Sequence, residues 1–201
     1  MQSTKLSGID EGFVSWLEEL STKANDESAT PLERGRSRAA LAAFRRGLGK
    51  PPGTAVEMLR YIPPFVFSGV QEEIVDIYLL VASLFAMHPT LGGTGSIGST
   101  LASVRALRES DSIEARFVAL LNCHEGDLHK HLRHAVALAK SSKSSVPVDW
   151  RQLLHDLKWW RQSESGRNMV RRQWARDFWG RSEVQPQNDE GGAEQPILEN
   201  E

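Results

Sequence analysis

Residues 72–87 read EEIVDIYLLVASLFAM, and after the two opening glutamates the only charged side chain in the run is Asp76. Its apolar residues do not keep to one stripe of a 3.6-residue period; they cover nearly the whole circumference. A helix of that kind has no face to give to water and must be surrounded by other elements. The run is too short to cross a bilayer, which takes about 20 residues. It therefore reads as the central helix of a bundle.

The flanking segments supply what would surround it. Phe13, Trp16, Leu17 and Leu20 recur at helical spacing. The alanine-rich SRAALAAFRRGL, residues 37–48, puts Leu41 and Phe44 on one stripe, with Gly47 or Gly49 as its stop. Pro51-Pro52-Gly53 and Pro63-Pro64 then break helix, because proline lacks the amide hydrogen and restricts the residue before it. After the central run, His88-Pro89 to Thr100 is glycine-rich and polar, and is expected to be a flexible connection with Ser99 or Thr100 capping the next helix. Leu101, Val104 and Leu107 begin that helix, and Phe117, Leu120 and Leu121 belong to another. Leu128, Leu132, Val136 and Ala139 form a stripe with Asp127 as the expected cap. A polar turn from Ser141 to Pro147 follows, then Asp149 capping Trp150, Leu153, Leu154, Leu157 and Trp160, and a last stripe of Val170, Trp174 and Phe178.

No alternating strand pattern competes, so the expected fold is all-α, two small helical bundles in one compact chain. The N-terminal bundle is expected over residues 1–95 and the C-terminal one over 96–182. Residues 183–201, rich in Gln, Asn, Glu, Gly and Pro, read as a disordered acidic tail. The 201 residues hold a single cysteine, Cys123, so no disulfide framework and no four-cysteine metal site is possible within the chain. No charged segment followed by an apolar run marks a signal peptide, and a cytoplasmic, membrane-free location is expected.

The net charge of −2 hides a segregation. Residues 34–60 carry seven Lys and Arg against Glu57 alone, residues 61–104 carry none, and residues 105–176 carry fourteen against eight acids. A nearly neutral chain can still present a basic face when its acids sit elsewhere.

Three motifs suggest chemistry and fail on spacing or context. Gly93-Thr94-Gly95-Ser96-Ile97-Gly98 spells a dinucleotide fingerprint but follows a helix, not a strand. Read as a phosphate loop, it has Ser99 where the lysine belongs. His124, His129, His131 and His134 crowd one segment, but His124-Glu125-Gly126-Asp127-Leu128 lacks the second histidine of a zinc-protease helix, and surface histidines are expected. No catalytic residue, cofactor site or metal site is therefore assigned. Five tryptophans fall in the last quarter. Trp150, Trp160 and Trp174 lie on apolar stripes and are expected in the core, whereas Trp159 and Trp179 are more open.

The arginines are the positive signal. Arg45-Arg46 close one helix. Arg105 and Arg108, Lys130 and Arg133, and Arg167 and Arg171 stand one helical turn apart, and Arg172 and Arg176 repeat the pattern. Like charges at this spacing repel unless an anion neutralises them, and arginine grips phosphate bidentately. Salt bridging competes: Glu109 and Glu114 can answer Arg105, Arg108 or Arg116, and Asp177 can answer Arg181.

Several of these residues occur together in a familiar order. Arg45-Arg46-Gly47 is followed by Leu84-Phe85-Ala86-Met87-His88-Pro89, Ile97-Gly98, Arg116-Phe117 and Leu132-Arg133. Asp149-Trp150, Leu153-Leu154, Leu157, Trp159-Trp160 and Trp174-Ala175-Arg176-Asp177-Phe178 complete it. The series, over about residues 10–180, resembles the CasB (Cse-type) small subunits of the type I-E CRISPR surveillance complex, Cascade. The resemblance implies an all-α, non-catalytic subunit in paired copies beside other Cascade subunits and the guide RNA, holding the target or displaced DNA strand of the R-loop. By motif it assigns nucleic-acid contacts to Arg45, Arg46, Arg116, Arg133 and Arg161. Arg105, Arg108, Lys130, Arg167, Arg171 and Arg172 are candidates on charge and spacing alone. His134 follows Arg133 where some relatives have a second arginine. A purely structural adaptor that joins helical subunits of a ribonucleoprotein is the competing reading.

Overall fold

The computed structural model describes residues 8–108, 111–142 and 145–180. The expected tail, 183–201, lies outside the described residues, as do Glu109 and Arg181. Among the described residues every regular element is helical, as the central run requires.

Helix α1 (Gly8–Asn25) and α2 (Pro31–Arg46) form a hairpin. The start of α2 is set locally. The Glu33 amide donates to Thr30 Oγ1 at 3.3 Å, the Thr30 amide donates back to Glu33 Oε2 at 3.0 Å, and Pro31 opens the helix. The two proline breaks yield a 3₁₀ turn (Val56–Tyr61) and the short α3 (Pro64–Gly69). Then comes α4 (Glu72–Met87), which packs against α2, α3, α7 and α8. Its residues Ile77 to Leu79 and Val81 to Ala86 are all buried. Helix α5 (Ile97–Arg108), α6 (Asp111–Asn122), a 3₁₀ turn (Glu125–Asp127), α7 (Leu128–Lys140), α8 (Trp150–Gln162) and α9 (Glu164–Trp179) complete the chain. Helix α9 lies against both α5 and α8. Trp150, Trp160 and Trp174 are buried, as their stripes require.

The two halves share one continuous cluster of buried side chains. Helix α8 reaches back onto α1 and α4, and polar pairs reinforce that seam. Buried Asp10 on α1 accepts from the hydroxyl of Tyr78 on α4 and, at 2.9 Å, from the ammonium of Lys158 on α8. About two turns further along α1, Glu18 takes both ends of the Arg151 guanidinium at 2.7 and 2.9 Å.

The glycine-rich connection between the halves is pinned, contrary to its composition. His88 Nε2 meets the Val146 carbonyl at 2.8 Å, and Trp150 Nε1 donates to the Thr90 carbonyl at 3.3 Å. A Cβ on Gly93 would fall 2.2 Å from the Val148 carbonyl carbon, and one on Gly98 would fall 2.1 Å from the Trp174 carbonyl oxygen. These glycines let backbone approach backbone. The cap of α5 is Ser96, whose hydroxyl takes the Ser99 amide at 3.4 Å and donates to Asp177 at 2.6 Å; Ser99 and Thr100 are buried inside the helix. Asp127 does not cap α7 either. The 3₁₀ turn runs straight into that helix, so His124 caps the turn, accepting from the Gly126 amide at 3.2 Å, while Asp127 pairs with Lys130 at 2.7 Å.

Candidate nucleic-acid interface

The eleven candidate cations separate by what they already touch. Arg105 on α5 is half-buried, paired with Glu114 at 3.6 Å, donating to the Phe178 carbonyl at 3.3 Å and lying 4.4 Å over the Phe178 ring. Arg167 donates to Glu125 at 2.6 Å. Arg171 donates to the Cys123 carbonyl at 3.1 Å and sits 4.9 Å over the Trp160 ring. These three join α9 to its neighbours. Lys130 is exposed but pairs with Asp127, and Arg45 uses its Nε on the Ala86 carbonyl at 2.8 Å, fixing the end of α2 against the end of α4. The side chain of Arg108 lies outside what the structure describes.

Arg46, Arg116, Arg133, Arg161 and Arg172 remain. All five are exposed, and none meets a carboxylate among the described residues. Three of them gather around one loop. Arg46 ends α2, and the chain then turns through Gly49, which adopts φ +80°, into Pro51-Pro52. The Arg133 guanidinium of α7 lies against Gly49, 2.6 Å from where a Cβ would stand. The left-handed backbone favours glycine there. Pro51 and Pro52 then form one wall of a cleft that Arg161 of α8 also borders. Cations of α2, α7 and α8 thus flank residues 47–53. Arg116 stands apart on α6, and Arg172 borders a broader depression along α9 with Asn168 and Arg176.

The cleft encloses about 270 Å³ between the Pro51-Pro52 turn, α4, the start of α7 and the end of α8. Sequence reasoning misplaced one of its residues, His129, and placed another, Trp160, in the core without foreseeing a cleft beside it. His129, expected on the surface, is 6% exposed, and its Nε2 has no hydrogen-bond partner. Trp160 is 1% exposed, and its Nε1 is likewise unpartnered. A buried polar group left unpaired costs about 1–3 kcal/mol. Burial holds the His129 ring below its usual pKa, with Lys130 acting in the same direction and the Gly126 backbone opposing. The signal for His129 was its register: it precedes Leu132 and Val136 by three and seven residues, on their face.

Among the described residues no three His, Cys, Asp or Glu side chains stand together as a metal would need, and no helix is long and apolar enough to cross a membrane. Burial raises the pKa of the Cys123 thiol, which disfavours the thiolate a nucleophile requires.

The described residues thus form a helical body with exposed arginines beside a glycine–proline loop. Residues 40–179 match the family described as CRISPR-associated protein Cse2. The chain is 38% identical over 147 residues to a CRISPR-associated protein Cse2 of Thermus thermophilus, covering 71% of this chain and 79% of that one. A crystal structure of a Cse2-family protein from the same organism superposes with a TM-score of 0.68 at 31% identity, over 87% of this chain and 99% of the other. That of M. ruber CasB gives 0.64 at 27%, over 89% and 95%. A chain of a CRISPR RNA-guided surveillance complex shares the fold, with a TM-score of 0.61 at 22% identity over 84% and 90%. The chain belongs to the Cse2 family.

Proposed function

We propose that this protein is the small subunit of a Cascade-type surveillance complex and that it holds nucleic-acid backbone along the loop at residues 47–53. Arg46, Arg133 and Arg161 carry the contact; Arg116 and Arg172, away from that loop, are candidates for separate backbone contacts. The observation behind this reading is the convergence of three exposed arginines from α2, α7 and α8 on one loop, none matched by a carboxylate among the described residues. Such a group suits a polyanion and reads no sequence. The partners are the other Cascade subunits, a second copy of the chain, the guide RNA and the target or displaced DNA strand. The role is non-catalytic and cytoplasmic. Exchanging a DNA duplex for an RNA–DNA hybrid is nearly balanced in energy, so a few arginine–phosphate contacts bias the R-loop forward.

A salt series tests this. The full chain is titrated with a single-stranded oligonucleotide between 50 and 200 mM salt, values at which phosphate contacts show clearly. Alanine at Arg133 or Arg161 is expected to lower the logarithmic salt slope by roughly one unit each. Unchanged slopes would overturn the assignment. The adaptor reading keeps one observation of its own: Phe65 and Phe67 on α3 are 40% and 44% exposed, which suits protein contact.

A further inference from the structure

The cleft beside Arg161 has a chemistry that phosphate binding alone does not use. Trp160, which lines the cleft, is stacked on Trp174 at 5.3 Å and lies under the Arg171 guanidinium, so its ring is held in place. Its Nε1 is a hydrogen-bond donor with no partner. His129 carries the complement. Its Nε2 is unpartnered. In the neutral ring that carries its proton on Nδ1, Nε2 is an acceptor. Asp76 adds a second acceptor, while Leu80 and Pro52 supply apolar wall. An occupant must therefore present an acceptor and a donor on one edge and an apolar body behind them. An apolar side chain would leave both nitrogens unsatisfied. An inorganic anion would suit Trp160 but face Asp76 and an acceptor nitrogen. A nucleobase meets all three demands, since every base carries both kinds of group on a flat ring. The volume, about 270 Å³, lies just under the range of about 300–1,000 Å³ for drug-sized ligands and suits a single heterocycle. Arg161 borders the cleft, and Arg133 stands one helical turn from His129, so the strand's phosphates and the cleft adjoin.

We propose that this cleft receives one unpaired nucleobase of the strand whose phosphates lie on Arg133 and Arg161. The inference rests on the backbone-holding function above and adds a base-dependent component to it. It does not depend on which base enters, because Trp160 and His129 present only one donor and one acceptor.

The test compares two single-stranded oligonucleotides of equal length and phosphate number, one with ordinary bases and one abasic throughout, binding to the full chain at two salt concentrations. The ordinary strand is expected to bind about tenfold tighter, the effect of one or two added hydrogen bonds, with the same salt slope. His129→Leu, which removes the acceptor, and Leu80→Phe, which fills the cleft, are each expected to erase that difference and leave the slope unchanged. Two variants at separate positions guard against one that fails to fold, with helical content and melting checked for both. Equal affinity of the two strands overturns the base site and leaves backbone holding intact. A difference that survives both variants places the base contacts elsewhere and also overturns it. If neither strand binds, the backbone reading falls and the base site with it. If the strands bind equally while Leu80→Phe blocks assembly with the other subunits, the cleft belongs to a protein neighbour, which again overturns it.

Discussion

Gly98 and His129 show how one position can read two ways. In sequence Gly98 closes a phosphate-loop spelling; in the fold its missing side chain lets α5 lie on the backbone of Trp174. Gly98→Ala is therefore expected to destabilise the protein by about 1–3 kcal/mol, the cost of overpacking a rigid contact, with nucleotide binding absent before and after. Chemical denaturation checks the first part, and wild-type stability in the variant would contradict the packing role. His129 makes a pH prediction with a definite sign. Burial lowers its pKa below the ordinary value of 6.5, so the unfolded chain binds the proton more readily than the folded one. The stability this residue contributes is complete above about pH 6.5 and is lost as the pH falls towards the lower folded value. His129→Leu should flatten that acid-side decline in melting temperature. A decline identical to the parent's would assign it to other groups.

Among the elements, the helices were legible because their signals are local. The central run at 72–87 is apolar nearly all round, and from Ile77 to Ala86 every residue but Leu80 is buried; Asp149 caps α8 as its position suggests, accepting the Gln152 amide at 2.9 Å. What the sequence concealed is non-local. Nothing in His88-Pro89 to Thr100 reveals that the Val146 and Val148 backbone will lie across it, so composition alone reads a pinned connection as a flexible one. The cap of α5 shifts to Ser96 because Asp177, 81 residues away, holds its hydroxyl. The arginines divide on the same principle: spacing cannot distinguish Arg171, spent on Trp160 and Cys123, from Arg133, which lies on Gly49. The α1–α4–α8 seam yields a prediction at this scale. Asp10→Ala strands Tyr78 and Lys158 together and should cost about 3 kcal/mol, as removing one partner of a buried pair does. Asp10→Asn should cost less, since it keeps an acceptor for the tyrosine. Equal and negligible losses in urea melts would mean the seam is held by its apolar contacts alone.

At the scale of the whole molecule, the two halves share one buried core, and the proposed strand contact draws arginines from both. The shared core matters because Arg46 belongs to the first half and Arg133 and Arg161 to the second. Their arrangement survives only if the seam does. The arginines themselves are exposed and contribute little to that seam, so their removal should separate binding from folding. The decisive measurement is target-DNA binding by assembled complexes carrying the Arg46→Ala, Arg133→Ala, Arg161→Ala triple variant, at two salt concentrations, with subunit assembly measured independently. Normal assembly, weaker R-loop formation at both salts and a salt slope smaller by roughly three units are expected. A triple variant that assembles and binds target DNA like the parent at both salts would overturn the strand-holding role.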